Sequence, residues 1–465
     1  MSERRALALT LAACLASGAL MALPPARSAA ATTTQVTQRY SIVATLDVAT
    51  GRLDAHQSLT VVNRAGHDID HINLSVIPRA LGYLVMDAPV TVNGEAVETR
   101  WTTGTNLRVP LHEPLAPHRS VTLDIRFGLR VGSTGGAFTA RLTRDRGVLS
   151  FAHWFPILSR EHDAYGVGDP QVSYTAELIR LDLTTTAPLP RDAVACPGLV
   201  RAPATSGTRW TCEVGKVRDF SFVVNPAFRL TQRRVGLTEL RIYTETVDGE
   251  RTADMAASAM SRLNELFGTY PWPDFVMAEV GATDGFSMEY PRAIHLTRGQ
   301  VTDAYIINHE TAHQWFYAQV GNDQQLEPWL DEAFADFSAR LVMGIGENQC
   351  GTREVDSPVF AWEAGATTGG DWLSCDGYFQ SVFYQGTEFI NAVRARMGDE
   401  AFFTAMREWV ADNRFEVATG RRLLHHLQAS TDADLLPVYR AYLSAYDRPL
   451  IIPQTRRPLP RHTAG

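Results

Sequence analysis

Lysine is almost absent from this 465-residue chain: Lys216 is the single lysine among 43 basic residues, and the others are arginine. That bias fits the codon usage of a GC-rich, bacterial genome and carries no mechanism. Excess positive charge is also lacking. The net charge is −8, which argues against nucleic acid or an anionic membrane as the main partner. Long apolar runs are missing beyond the N-terminus, and none approaches the ~20 residues of a stable membrane span. Cysteine is scarce, five in all, and no CxxC spacing occurs, which speaks against a Cys/His zinc knuckle. No internal repeat is present. An apolar share of 45% with 20% charged residues describes a globular chain, and its length suggests two or three domains.

The N-terminus has its own texture. Arg4 and Arg5 precede an apolar run from Ala6 to about Leu23, followed by Pro24, Pro25 and small residues through Ala31. A charged start, an apolar stretch and a small-residue exit describe a secretory signal peptide over 1–30. Cleavage would follow Ser28 or Ala30, giving a secreted or periplasmic protein. A rival reading takes Leu11-Ala12-Ala13-Cys14 as a lipoprotein box with Cys14 lipidated. The apolar run that continues past Cys14 favours plain secretion. Removal of the leader leaves Cys196, Cys212, Cys350 and Cys375. An even number in an exported chain suggests two disulfides. Three pairings are open, Cys196–Cys212 with Cys350–Cys375 being the simplest, and so are four free thiols.

Residues 33–235 are expected to form an N-terminal β domain. Tyr40, Ile42, Ala44, Leu46 and Val48 alternate with polar residues, as do Val121, Leu123, Ile125 and Phe127, and Phe220 to Val224 is another short strand. Period two between turn residues indicates antiparallel sheet with one buried face. The pattern changes near residue 236. Leu240, Ile242 and Thr244 still alternate, but Met255, Ala259, Met260, Leu263, Leu266 and Phe267 recur at helical spacing, with Gly268 at a C-cap position. A helix is expected over 303–320, capped by Asp303, and others near 328–343, 378–397, 400–412, 419–429 and 434–445. A second, mainly helical domain thus spans 236–452, and 453–465 is a loose tail.

His309-Glu310-Thr311-Ala312-His313 is the central signal. Residues four apart share a helix face, so both imidazoles can point at one ion. Glu310, one residue beyond His309, can take a proton from water on the metal. The metzincin pattern fails, because Phe316 and Gln319 stand where it needs glycine and histidine. Glu332, nineteen residues after His313, can return on a second helix as third ligand. Two His and one Glu leave a position for water, the arrangement of a single catalytic Zn2+. Asp336, four residues after Glu332, is either an acceptor for the free ring nitrogen of a zinc histidine or a solvated helix acid. His425 and His426 have no metal spacing.

The runs Ile307–Phe316, Val320-Gly321-Asn322-Asp323 and Trp329-Leu330-Asp331-Glu332-Ala333-Phe334 resemble the aminopeptidase N and leukotriene hydrolase family of gluzincins. Weaker similarity includes Trp154-Phe155-Pro156 and Ala401 to Leu443. The resemblance implies an α+β multidomain fold, with a β-saddle domain before a thermolysin-like zinc catalytic domain, in a form that lacks the C-terminal helical domain of larger relatives. It implies an aminopeptidase acting on peptide substrates, which the leader would place outside the cytoplasm. Another zinc hydrolase, an endopeptidase or a non-catalytic peptide binder is the alternative. Gly285-Phe286-Ser287-Met288-Glu289-Tyr290 is similar to the family's exopeptidase signature, with an altered glycine-to-methionine spacing. By that resemblance Glu289 holds the substrate α-ammonium, with Met288 beside it. The family's oxyanion tyrosine aligns with Phe383, and Gln385 replaces a lysine. Tyr384 is the expected substitute, with Tyr378 or neither as the other possibilities.

Overall fold

The computed structural model describes residues 36–86, 88–133, 141–159, 173–281, 287–324, 327–345 and 379–443. The leader with Cys14, residues Gly285 and Phe286, both Cys350 and Cys375, Tyr378 and the 453–465 tail lie outside them. Among the described residues, no helix is long and apolar enough to cross a membrane.

The first half is β structure. Its main sheet has nine strands, built around Val36–Asp47, Arg52–Asn63, Ser120–Arg130 and Leu178–Pro190. Tyr40, Ile42, Ala44 and Leu46 face the core, as do Val121, Leu123, Ile125 and Phe127, so the period-two reading holds. Pairing among these four is antiparallel with one exception: Val36–Asp47 runs parallel to Leu178–Pro190. Strand order decides this, since a strand added on the far side of the first one is free to run either way, and local alternation carries no direction. Two four-stranded sheets complete this half. Cys196 and Cys212 form a disulfide that ties strand Ser206–Val214 to the chain before it.

The second half opens with a mixed five-stranded sheet in spatial order Arg229–Val235, Thr238–Thr244, Asp274–Val280, Ala293–Thr297 and Met288–Tyr290. Met288–Tyr290 is an edge strand, antiparallel to Ala293–Thr297. The boundary expected at 235/236 falls at the tip of the first hairpin of this sheet. Helix Gly249–Phe267 follows as expected. Asp248 accepts from the Glu250 amide, and Gly268 at φ 94° ends the helix.

The helix expected over 303–320 is shorter, Ala304–Ala312. Asp303 caps it, accepting from the amides of Tyr305 and Ile306 at 2.9 and 3.2 Å. The overlong expectation has a plain cause. Every residue from Trp315 to Val320 is buried, so the apolar pattern there reflects enclosure on all sides rather than one helix face. The chain folds into tight turns instead, with the Ala318 amide on the His313 carbonyl. The later expectations hold with small shifts. A short 3-10 turn Pro328–Leu330 leads into helix Glu332–Met343. A π-helical stretch Phe379–Tyr384 runs into Gln385–Met397. Helices Asp399–Asp412, Gly420–Ala429 and Leu436–Tyr442 close the described chain.

Candidate metal centre

Two helices build the site. Ala304–Ala312 carries His309 and Glu310, with His313 at its C-cap, and Glu332 opens the helix Glu332–Met343. Asp331 caps that second helix by accepting from the Glu332 amide at 2.7 Å. The two segments are locked together by Phe316 stacked on Phe334, ring centroids 4.5 Å apart. Helix Gln385–Met397 lies close against the Glu332 helix. A Cβ on Gly386 would come 2.4 Å from that of Ala333, so only glycine allows the approach.

His309 Nε2 and His313 Nε2 are 3.2 Å apart, and Glu332 Oε2 lies 3.3 Å from the first and 3.4 Å from the second. A tetrahedral ion with bonds of about 2.0–2.1 Å has ligands about 3.3–3.4 Å apart. His313 turns its Nδ1 to the Phe316 carbonyl at 3.3 Å, which places the lone pair on Nε2, toward the cluster. His309 and His313, both buried, and the half-buried Glu332 face one another at spacings that could hold a shared cation, and the donor set fits zinc.

Around the cluster lies strong negative potential. Glu289, Glu310 and His313 bring ligand-type atoms within 4.8 Å of one another. Burial, then the Glu289 charge, holds the Glu310 carboxyl well above the usual carboxylate range. Glu310 Oε2 has no hydrogen-bond partner among the described residues, so a buried acceptor is left for a proton from elsewhere. Burial disfavours charge on His313, but Glu289 and Glu332 outweigh it and raise the ring well above its ordinary value. Burial opposes ionisation of Glu332 too, yet His313 and His309 bring it down to about 2. Burial and the neighbouring Glu332 push Asp331 up.

The structure brings together His309, His313, Glu332, Glu310 and Glu289. Gln324 Nε2 reaches toward Glu289 at 3.5 Å, and Met288 precedes Glu289 on the same strand, half-buried. Two expectations need restating. Asp336 does not serve a zinc histidine: its carboxylate accepts from Tyr305, Arg340 and Thr387. Helical spacing put it on the right face, but the nearer donors of three other turns claim both oxygens. Tyr384 has its ring against the Arg340 guanidinium, 5.2 Å from it, whereas Phe383 stacks on His309 at 5.6 Å and 7°. Tyr305 also stacks on His309, at 6.0 Å. Sequence reasoning missed Tyr305 and Gln314. A glutamine inside the apolar run Ala312–Ala318 was the available signal, since a buried amide must find partners.

Residues 287–442 match the family model described as Peptidase family M1 domain. Aminopeptidase N of Lactobacillus helveticus is 29% identical over 164 residues, covering 32% of this chain and 19% of that protein. Aminopeptidase M1-D of rice (Oryza sativa subsp. japonica) is 24% identical over 200 residues, covering 37% and 23%. The match thus spans about a fifth of the length of these curated relatives. Among solved structures, the M1 zinc metallopeptidase from Deinococcus radiodurans superposes with TM-score 0.63 at 18% identity, covering 93% of this chain and 97% of that one. A mutant of that enzyme bound to a Tyr-ser-ala substrate gives 0.64 at 17%, covering 93% and 98%. The chain therefore shares its fold with these solved structures. Residues 287–442 thus carry the family match, about a third of the chain, and over a similar share the chain resembles aminopeptidase N.

Proposed function

We propose that this chain is an exported zinc aminopeptidase that removes N-terminal residues from peptides. The observation that carries the reading is the His309–His313–Glu332 triangle with two further buried carboxylates, Glu310 and Glu289, beside it. Bound by those three residues, one zinc ion per chain would supply Lewis acidity, polarising a carbonyl and lowering the pKa of water from about 15.7 toward ~7. Glu310 accepts the proton that water loses on attack and returns it to the leaving amine nitrogen. Its raised affinity for a proton suits both halves of that transfer. Glu289 accepts hydrogen bonds from the substrate α-ammonium and so sets the register at one residue from the chain end. Met288 lies next to it along the edge strand. For Tyr384 to steady the developing oxyanion, its ring must leave Arg340; this movement is part of the assignment.

The relatives named aminopeptidase N and the Deinococcus protein's peptide complex support peptides as the substrate class. Export rests on the leader-like residues 1–30 and agrees with the Cys196–Cys212 disulfide. The deciding experiment assays zinc-loaded protein on a panel of aminoacyl fluorophores and their N-acetylated forms, with Glu310→Gln as control. Release from free-amine substrates alone, lost about 10²–10⁴-fold in the control, supports the reading. Equal cleavage of blocked substrates would make it an endopeptidase. No release at all would leave a peptide-binding relative.

A further inference from the structure

The strand that carries Glu289 is poorly secured by its sheet. Met288–Tyr290 is three residues long, lies at the edge and, among the described residues, pairs only with Ala293–Thr297. Short edge strands gain little from ladder bonds. Glu289 is nevertheless held, 3% exposed, within 4.8 Å of the Glu310 carboxylate. Like charges buried this close repel, and the weakly paired strand is the element free to yield.

The hairpin turn is gripped from outside the sheet. Tyr290 pairs with Ala293, so Pro291 and Arg292 form the turn, with Arg292 at φ 65°. Gln314, the residue after the ligand His313, is fully buried. Its Oε1 accepts from the Arg292 amide at 2.8 Å, and its Nε2 donates to the Tyr290 carbonyl at 3.0 Å. One side chain thus supplies both partners that a further strand would give the turn. The Arg292 guanidinium pairs with Asp274, which also takes Arg241 and the Gly198 amide, each at 2.6 Å. The far end of the strand is held as well, by Gln300 accepting from the Ser287 amide and hydroxyl at 3.1 and 2.7 Å.

We infer that Gln314 is a positioning residue: it ties the strand of Glu289 to the metal-binding segment and fixes the spacing between the amino-group anchor and the reacting centre. The inference rests on the aminopeptidase reading for its kinetic consequence and on the two hydrogen bonds for its structural one. Gln314 is not one of the candidate metal ligands, and its side chain bonds backbone groups. It acts through the backbone of Tyr290 and Arg292.

The test compares Gln314→Met, which keeps the length and removes both bonds, with Gln314→Glu, which keeps the acceptor for the Arg292 amide. Each buried amide bond is worth about fivefold. The Met variant should therefore raise KM for free-amine substrates about tenfold or more, with a smaller fall in kcat and zinc content equal to wild type. Amide exchange at Arg292 should quicken in the Met variant, and the Glu variant should fall between it and wild type in both readouts. Loss of kcat and KM effects in step with lost zinc or lost secondary structure would overturn the positioning role. So would unchanged exchange at Arg292 in the Met variant. If wild-type protein releases no amino acid, the aminopeptidase reading fails on its own, and exchange at Arg292 still decides whether the clamp exists.

Discussion

Replacing Glu289 by glutamine removes one charge at nearly constant volume and tests the amino-group anchor directly. Glu289 is 3% exposed, and its carboxylate lies within 4.8 Å of the Glu310 carboxylate and the His313 ring. Two unit charges at that separation repel by on the order of 3 kcal/mol at an effective dielectric of ~20. An α-ammonium entering beside them relieves that repulsion and gains a charge-assisted hydrogen bond of about 1.5–3 kcal/mol. The amide that replaces the carboxylate in Glu289→Gln retains a hydrogen bond but not the charge. kcat/KM for aminoacyl fluorophores should fall about 10–100-fold, reading about 1.4–2.8 kcal/mol of lost transition-state stabilisation. N-acetylated analogues should be little affected, so the ratio of free to blocked substrates should collapse. The same variant has a pH signature. Burial and then Glu289 raise the Glu310 carboxyl. Without the Glu289 charge that pKa drops, the basic form survives to lower pH, and the acid limb of the kcat/KM profile moves down. A ratio unchanged within about twofold, or an acid limb that moves up, refutes the anchor assignment.

Glu332→Ala should leave two imidazoles and lose bound metal; chelator should then lower Tm of the wild type but not of this variant, as read by differential scanning fluorimetry. Phe383→Tyr places a hydroxyl on the ring that stacks on His309, and an added oxyanion donor should raise kcat, by up to about 10². If Tyr384 already fills that role, Tyr384→Phe lowers kcat instead and Phe383→Tyr adds little. Removing the Cys196–Cys212 bridge by Cys212→Ala opens a loop of 16 residues and should cost about 3 kcal/mol in denaturant titration.

Much of this centre was legible because its residues obey short-range rules. His309 and His313 share a face by helical spacing, and Glu332 begins the next helix. Glu289 was reached through its similarity to a family signature, not through any spacing of its own. Asp336 shows where spacing stops helping. It lies on the predicted face, but Tyr305, Arg340 and Thr387 compete for its oxygens, and only the fold reveals which donors are near. The helix end at Ala312 was misjudged because an apolar run looks the same whether a helix or a buried loop generates it. The parallel pairing of Val36–Asp47 with Leu178–Pro190 depends on chain path across more than a hundred residues, and alternation within either strand is silent about it. Gln314 left a trace, a polar residue in an apolar run, that names no partner.

Glu289, His309, Glu310, His313 and Glu332 all fall within a span of 44 residues. That compactness bears on how the protein acquires its metal. Contacts at short sequence separation close with little entropy loss, so the ligand set can assemble as an early, local event of folding. The β half of the chain need not be in place for those ligands to meet, although its Gly198 amide later braces Asp274 behind the Glu289 hairpin. An ion captured at that stage would act as a folding nucleus before it acts in chemistry. Refolding of the chain should then be faster with zinc present from the start than with zinc added at the end.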